Sequence, residues 1–121
     1  MMNNMRFGRR LNCAMAGIRV VARRERSFRT QSVLALAAMG ATAAVQPGLI
    51  WSAIIVISIV LVLALEAMNG ALEYLMDHVH PDYSEEIGYA KDAAAGAVLI
   101  ASIGSACVGV LMLLSVYSPN G

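Results

Sequence analysis

Charged residues are scarce in this sequence of 121 residues, at 14%, whereas 59% of its residues are hydrophobic. The mean hydropathy is +0.66. Average soluble domains carry about 25% charged residues and about 45–50% apolar ones. A soluble protein of this length cannot bury so much apolar surface, because small folds leave a large share of their surface in water. The composition therefore excludes an ordinary soluble domain and indicates a membrane protein.

The sequence also lacks the common motifs of soluble enzymes. It has no GxxxxGK[ST] loop, no GxGxxG after a strand and no HRD or DFG element. Its two cysteines, Cys13 and Cys107, fall in different compartments in the topology given below, so we expect no disulfide. His78 and His80 have no cysteine or third histidine at metal-site spacing, and we interpret them as solvated connector residues.

Positive charge is concentrated near the N-terminus. All eight arginines lie between Arg6 and Arg29, and the only lysine is Lys91. The positive-inside rule places the arginine-rich segment in the cytoplasm. Over residues 7–28, apolar residues recur at spacings of three and four beside a separate stripe of arginines. This pattern predicts an amphipathic helix that lies in the membrane interface.

Apolar segments predict three transmembrane helices, and with the surface helix they form one all-α membrane domain over residues 1–121. The expected spans are about 29–46, 49–76 including a cytoplasmic extension, and 90–117. The first is the weakest, because its apolar run at 32–45 is shorter than the about 20 residues that a span needs. We expect a multi-pass protein of the bacterial cytoplasmic (inner) membrane, with its N-terminus in the cytoplasm and its C-terminus outside.

Four polar residues follow the second apolar run at spacings of three, four and four: Glu66, Asn69, Glu73 and Asp77. This spacing places them along one face of a helix. An intramembrane carboxylate costs about 2.5–3.5 kcal/mol on insertion scales, so it indicates a functional site. Two carboxylates with an amide between them can hold Mg²⁺ while one carboxylate remains free as a base. Ordinary surface acids at a hydrated helix end would explain Asp77 but not Glu66.

Two further charged groups, Lys91 and Glu25, have no certain role on the residues alone. Lys91, next to Asp92, is the only cation in the second half of the chain. It suits either a phosphate contact or a snorkelling anchor at the interface. Glu25 lies among arginines, and from its sequence neighbours alone we interpret it as an acid that neutralises their charge.

Residues 66–77 read E-A-M-N-G-A-L-E-Y-L-M-D and closely resemble the signature E-x-x-N-[ST]-A-[IL]-E-x-x-x-D. That signature belongs to the prokaryotic diacylglycerol kinase family, small membrane enzymes that include the undecaprenol kinases. The resemblance continues through residues 81–83 and 90–99, and residues 25–29 look like the family's E-R-N-F-R stretch. The chain departs from the signature at Gly70, where the family usually has Thr or Ser.

The resemblance implies an ATP-dependent lipid kinase that phosphorylates the hydroxyl of diacylglycerol or undecaprenol at the cytoplasmic membrane interface, with Mg²⁺ as cofactor. It implies that Glu66 is the general base, that Asn69 orients the base or the hydroxyl, and that Glu25 and Glu73 hold the metal. The implied ATP-binding residues are Arg6, Glu25, Glu73, Asp77, Asp82, Tyr83, Ser84, Lys91 and Asp92, and the implied lipid-binding residues are Arg29, Glu66 and Ala95. The family fold implies a homotrimer with sites shared between subunits, and we expect no nucleic-acid partner.

A different class of protein also uses a single membrane carboxylate. A small multidrug-type transporter subunit would bind cations at Glu66, but it has no use for Lys91–Asp92 or the acidic connector. A purely structural protein explains none of the polar stripe. The acceptor lipid stays open, because residues 93–97 and 25–29 look closer to the undecaprenol kinase branch, while much of the family with similar blocks is called diacylglycerol kinase.

Overall fold

The structure is a computed structural model that describes residues 2–118, with side chains from Arg6 onward. Every regular element in this range is an α-helix, as the composition and periodicity predicted. The four helices are α1 (Met2–Arg24), α2 (Arg26–Val45), α3 (Leu49–Val79) and α4 (Glu85–Tyr117).

The junction between α1 and α2 lies at Glu25, whose backbone is extended with φ −100° and ψ 109°. Arg29 Nη1 donates hydrogen bonds to the carbonyl oxygens of Ala22 and Arg23, at 2.9 and 2.8 Å. These carbonyls belong to the last turn of α1, where intrahelical partners are missing. The predicted surface helix extended to about residue 28, and the structure ends it four residues earlier, where Arg29 satisfies these carbonyls.

The turn between α2 and α3 consists of three residues. Gln46 adopts the left-handed conformation with φ 49°, and its N–H donates to the Thr42 carbonyl at 2.9 Å. Pro47 cannot continue the helix because it has no N–H to donate. Gly48 follows with φ 105°, a conformation that L side chains rarely adopt. The short turn makes α2 and α3 neighbours in space.

The connector between α3 and α4 ends at Ser84, which caps the N-terminus of α4. The Ser84 hydroxyl accepts a hydrogen bond from the Ile87 N–H at 3.2 Å, and Glu85 and Glu86 lie in the first turn. Both features stabilise a helix N-terminus. Helix α4 therefore begins five residues before the predicted span at 90–117.

The helices form a small bundle with a thin core. Helix α3 packs against α2 and α4, and α1 contacts α2 and α3. The buried apolar residues within 6–118 are Val21, Ile55, Val62, Val98 and Met112. Large apolar side chains such as Leu49, at 90% exposure, cover the outside. Such an extensive apolar surface is suited to lipid or to neighbouring subunits.

Two helices within residues 2–118, α3 and α4, are long and apolar enough to cross a membrane. Helix α2 is not among them, because Arg26, Arg29 and Gln31 interrupt its first turns, although its 20 residues measure about 30 Å. Helix α3, with 31 residues, measures about 46 Å and exceeds the about 30 Å hydrocarbon layer. A 20-residue span that began at Leu49 would end near Met68, two residues beyond Glu66.

Candidate active site

Glu66 is the only charged residue buried in the part of the chain whose side chains the structure describes, at 3% exposure. Its Oε2 accepts a hydrogen bond from the Ser27 hydroxyl at 2.9 Å. A buried charge is costly unless it is hydrogen-bonded, and this single bond leaves acceptor capacity on the carboxylate. Glu66 can therefore accept a further hydrogen bond, and a proton, from a hydroxyl group beside it.

An open cavity of about 290 Å³ adjoins Glu66 between α2, α3 and α4. Its lining combines polar and apolar side chains: Ser27, Gln31, Glu66, Asn69, Ala95, Val98, Leu99 and Ser102. The volume lies near the lower end of the range for small-molecule sites. The cavity is therefore matched to the small polar end of a lipid and not to a whole lipid molecule.

A second cavity, of about 370 Å³, continues along the same helices and shares Gln31 and Ser102 with the first. Gln31 Nε2 donates to Ser102 Oγ at 3.1 Å, at the junction of the two cavities. Most of the remaining lining is apolar: Leu34, Ala35, Ala38, Ile59, Val62, Leu63, Ser105, Ala106 and Gly109. The cavity of mixed lining beside Glu66 thus adjoins a mostly apolar one.

Two carboxyl groups, those of Glu25 and Glu73, lie within hydrogen-bonding reach of each other. Burial raises the pKa of Glu25, as do the hydrogen bond to Glu73 and the repulsion from that carboxylate. The extended backbone at Glu25 brings it to α3, although 48 residues separate it from Glu73. Two carboxylates at this separation repel each other, and a cation between them would remove the repulsion.

Asn69 supplies a third oxygen on the same face of α3. Its Oδ1 is the only side-chain nitrogen or oxygen within residues 6–118 that is buried without a hydrogen-bond partner. No group of three or more His, Cys, Asp or Glu side chains comes together as a metal site in that range. Mg²⁺ usually takes one or two protein carboxylates and completes its shell with water and phosphate oxygens. The carboxylates of Glu25 and Glu73 fit that requirement, whereas Asn69 lines the cavity beside Glu66.

A cationic cluster lies at the end of the polar stripe, around Asp77. Lys91 Nζ donates to Asp77 Oδ1 at 2.5 Å, and Arg24 Nη2 lies 3.6 Å from Asp77 Oδ2. The Arg24 guanidinium also stacks 4.5 Å from the ring centre of Tyr74. Helices α1, α3 and α4 thus bring two cations to one exposed acid, next to Glu25 and Glu73.

The other implied ATP-binding residues lie at the start of α1, on the connector before α4 and on α4. Arg6 is nineteen helical residues before Glu25, which is about 28 Å along α1. Tyr83 is 85% exposed, and Ser84 caps α4. The Asp82 carbonyl is hydrogen-bonded to the His80 ring at 2.7 Å, and Asp92 is exposed on α4. One chain brings together Glu25, Glu73, Asp77 and Lys91, but it does not bring Arg6 to them.

The implied lipid-binding residues occupy two different places. Ala95 lines the cavity beside Glu66, whereas Arg29 is bound to carbonyls at the end of α1. Sequence reasoning gave no role to Ser27 or Arg24, which contact Glu66 and Asp77 respectively. The sequence signals that could have found them were a serine, Ser27, inside the Glu25–Arg29 stretch and an arginine, Arg24, directly before Glu25.

Known proteins resemble this chain over most of its length. The profile of one family, described as prokaryotic diacylglycerol kinase, matches residues 12–113. A diacylglycerol kinase of Synechocystis is 36% identical over 102 residues, which cover 84% of this chain and 58% of that relative. A diacylglycerol kinase of Escherichia coli K12 is 31% identical over 99 residues, covering 82% and 81% of the two chains. An undecaprenol kinase of Bacillus subtilis is 33% identical over 109 residues, covering 90% and 89%.

The matched region contains every implied site residue except Arg6. The chain spans a little more than half the length of the Synechocystis relative and about four-fifths of the Escherichia coli one. All three relatives bear the names of kinases, so the resemblance in the residue pattern is confirmed. The transporter alternative finds no support among them.

Proposed function

The chain belongs to the prokaryotic diacylglycerol kinase family of lipid kinases, and we propose that it transfers the γ-phosphoryl group of ATP to a lipid hydroxyl at the cytoplasmic face of the bacterial membrane. The observation that carries the proposal is the position of Glu66. It is buried beside a cavity that adjoins an apolar one. Glu73 and Asp77 lie two to three turns further along the same helix, where Arg24 of α1 and Lys91 of α4 pair with Asp77.

In this mechanism Glu66 is the general base. The lipid hydroxyl enters the cavity and donates a hydrogen bond to the carboxylate oxygen that Ser27 leaves available. As the hydroxyl oxygen bonds to the γ-phosphorus, its proton passes to Glu66 and the bond from the γ-phosphorus to the bridging oxygen of ADP breaks. Base catalysis of this kind contributes typically about 10²–10⁴-fold. Phosphoryl transfer otherwise depends mainly on positioning and charge stabilisation.

Mg²⁺, which would accompany ATP, neutralises phosphate charge when it is bound. Glu25 and Glu73 would hold it through carboxylate oxygens. Asn69, which lines the cavity beside Glu66, would orient the base or the lipid hydroxyl. Lys91 and Arg24 supply positive charge beside the two carboxylates, and they can exchange Asp77 for phosphate oxygens. We assign the exposed residues Asp82, Tyr83 and Asp92, and the half-buried Ser84, to the nucleotide side of the site.

We also propose a three-span topology. Helix α2 reaches the about 30 Å of the hydrocarbon layer by length, and the arginines before it hold the N-terminus in the cytoplasm. The short turn then returns the chain through α3, and α4 leaves the C-terminus outside. Reporter fusions at the two ends test this arrangement, and a cytoplasmic signal from both ends would contradict it.

The proposed assembly is a homotrimer with shared sites. Arg6 lies too far from Glu25 to join the nucleotide site of its own chain, so its implied role in ATP binding requires the site of a neighbouring copy. The exposed apolar surface of the bundle offers faces for such contacts. Crosslinking in native membranes, followed by mass determination, tests this point, and a purely monomeric species would exclude it.

The acceptor lipid is diacylglycerol or undecaprenol, since relatives of both names match at similar identity. The test is a phosphorylation assay on the purified protein with labelled ATP and the two lipids in competition. We expect label in one or both lipids and ATP consumption that depends on lipid. ATP consumption that is absent with either lipid, in a protein that binds ATP, would overturn the proposal.

A further inference from the structure

Helix α3 approaches α1 very closely at Gly70. A Cβ atom placed on Gly70 would lie 2.7 Å from Val21 Cγ1 and 3.0 Å from Glu25 Cγ. Real Cβ atoms essentially never approach a neighbour below 3.0 Å. Both Gly70 and Val21 are buried in this contact. The end of α1 therefore rests on a surface of α3 that a side chain at position 70 would occupy.

The other described glycines on helices lack this constraint. A Cβ atom at Gly17, Gly40, Gly96 or Gly104 would meet nothing within 4 Å, and one at Gly88 would make an ordinary contact with the Tyr83 ring. The requirement at Gly70 is thus a local steric one. It coincides with the position where the chain departs from the Thr or Ser of the family signature.

We propose that Gly70 is a positioning residue for the metal–nucleotide site, because its missing side chain lets Val21 and Glu25 close onto α3. This inference rests on the function proposed above. Gly70 and Glu73 are three residues apart and share a face of α3. The Glu25 side chain passes over Gly70 at its Cγ atom, and its carboxyl group reaches Glu73. The space at Gly70 therefore sets the separation of the two carboxylates.

A side chain at position 70 has few ways to be accommodated. Val21 is β-branched, so its χ1 rotation is restricted and its Cγ1 cannot simply turn away. The end of α1 and Glu25 would have to move outward, while Glu73 stays on α3. Alanine at the same time raises helix propensity by about 1 kcal/mol relative to glycine, so a loss of metal binding cannot come from a weaker helix.

The inference makes a specific prediction about the family residue. Gly70→Ser restores the hydroxyl of the signature, yet here it should impair the site as Gly70→Ala does. Removing the two methyl groups of Val21 should make either residue acceptable. The matched control is Gly17→Ala, which makes the same chemical change on α1 in open space.

The experiment uses the purified full chain in detergent. Mn²⁺ binding is followed by electron paramagnetic resonance with a non-hydrolysable ATP analogue, and the KM for ATP, kcat and melting temperature are measured alongside. We expect Gly70→Ala and Gly70→Ser to weaken Mn²⁺–nucleotide binding and to raise KM about tenfold, with a smaller effect on kcat. The tenfold figure is the lower end of the effect of residues that support a metal ligand. In the double variant Val21→Ala with Gly70→Ala, the Mn²⁺–nucleotide affinity and the KM for ATP should return to within about threefold of those of Val21→Ala alone. The Gly17→Ala control should match wild type.

Wild-type Mn²⁺ affinity in a folded Gly70→Ala protein would overturn the inference while leaving the proposed function intact. If Gly70→Ala does not fold, the double variant Val21→Ala with Gly70→Ala provides the test. Weak Mn²⁺ binding in a folded double variant would also overturn the inference. Failure of the proposed function would give a different result: the wild-type protein itself would neither bind the Mn²⁺–nucleotide complex nor transfer phosphate to lipid.

Discussion

Glu66 and Asp77 lie eleven residues apart on α3, about 16 Å along its axis, yet their surroundings differ in almost every respect. Glu66 is buried, hydrogen-bonded to Ser27 and adjacent to a cavity lined by polar and apolar side chains. Asp77 is exposed and paired with Lys91 and Arg24. One helix face thus passes from a buried surrounding to an exposed, charged one, and it carries a carboxylate in each.

This contrast defines two regions with separate tasks. The inner region consists of Ser27 and Glu66, and we assign it to the lipid hydroxyl. The outer region consists of Glu25, Glu73, Asp77 and Lys91, and we assign it to the metal and nucleotide. Substitutions in the inner region should lower turnover and spare nucleotide binding, and those in the outer region should do the reverse.

The largest effect is expected for Glu66→Gln. Glutamine keeps the size and hydrogen-bonding capacity of the side chain but cannot take the proton, so kcat should fall about 10²–10⁴-fold. Nucleotide affinity should stay near wild type, and the melting temperature should not fall, because a buried charge is replaced by a neutral amide. The measurement is kcat at saturating ATP and lipid. Retention of more than about a tenth of wild-type kcat would reassign Glu66 to an orienting role.

Next in size is Glu73→Gln in the outer region. Removal of one anionic ligand leaves Mg²⁺ less neutralised, so ATP affinity should fall by more than about tenfold at limiting Mg²⁺. In the absence of the metal the affinity should change little. Equal ATP affinity of mutant and wild type at limiting Mg²⁺ would show that Glu73 is structural only.

A smaller inner-region effect is expected for Ser27→Ala. The variant loses the hydrogen bond that orients Glu66, and we expect kcat to fall about tenfold, which is about 1.4 kcal/mol in the barrier. The KM for ATP should not move. The control is Ser32→Ala on the same helix, because the Ser32 hydroxyl donates to the Phe28 carbonyl one turn before it. If both variants lose the same activity, the Ser27 bond has no special role.

The smallest effect is expected for Asp77→Asn in the outer region. Lys91 and Arg24 would lose the acid that holds them near the phosphates, but exposed ion pairs contribute little. The KM for ATP should rise by less than about fivefold, and the rise should shrink at high salt. Glu86→Gln, at an exposed acid in the first turn of α4, is the control. A loss of kcat with unchanged KM would contradict the division into two regions.

Local periodicity was enough to predict the shared face of Glu66, Asn69, Glu73 and Asp77, because spacings of three and four fix side-chain direction within one helix. The contact of Glu25 with Glu73 spans 48 residues and depends on where α1 ends. That end is set by the Arg29 hydrogen bonds, which no local pattern encodes. The family resemblance implied the pairing, whereas the arginines around Glu25 alone favoured a neutralising role for it.

Other parts of the site were inaccessible to sequence reasoning for the same reason. The Ser27 bond to Glu66 joins residues 39 apart, and the Gln31 bond to Ser102 joins residues 71 apart. The constraint at Gly70 arises from Val21 on another helix. Each of these contacts depends on how the helices pack against one another, which hydrophobic spacing does not determine.

The central claim is that Glu66 acts in the transfer step and not in nucleotide binding. The most direct test is a single-turnover experiment in which protein loaded with labelled ATP and Mg²⁺ is mixed with lipid. The account predicts that Glu66→Gln holds the same fraction of ATP as wild type and transfers its label about 10²–10⁴-fold more slowly. Transfer at the wild-type rate, or a loss of bound ATP that alone explains the slower transfer, would contradict it.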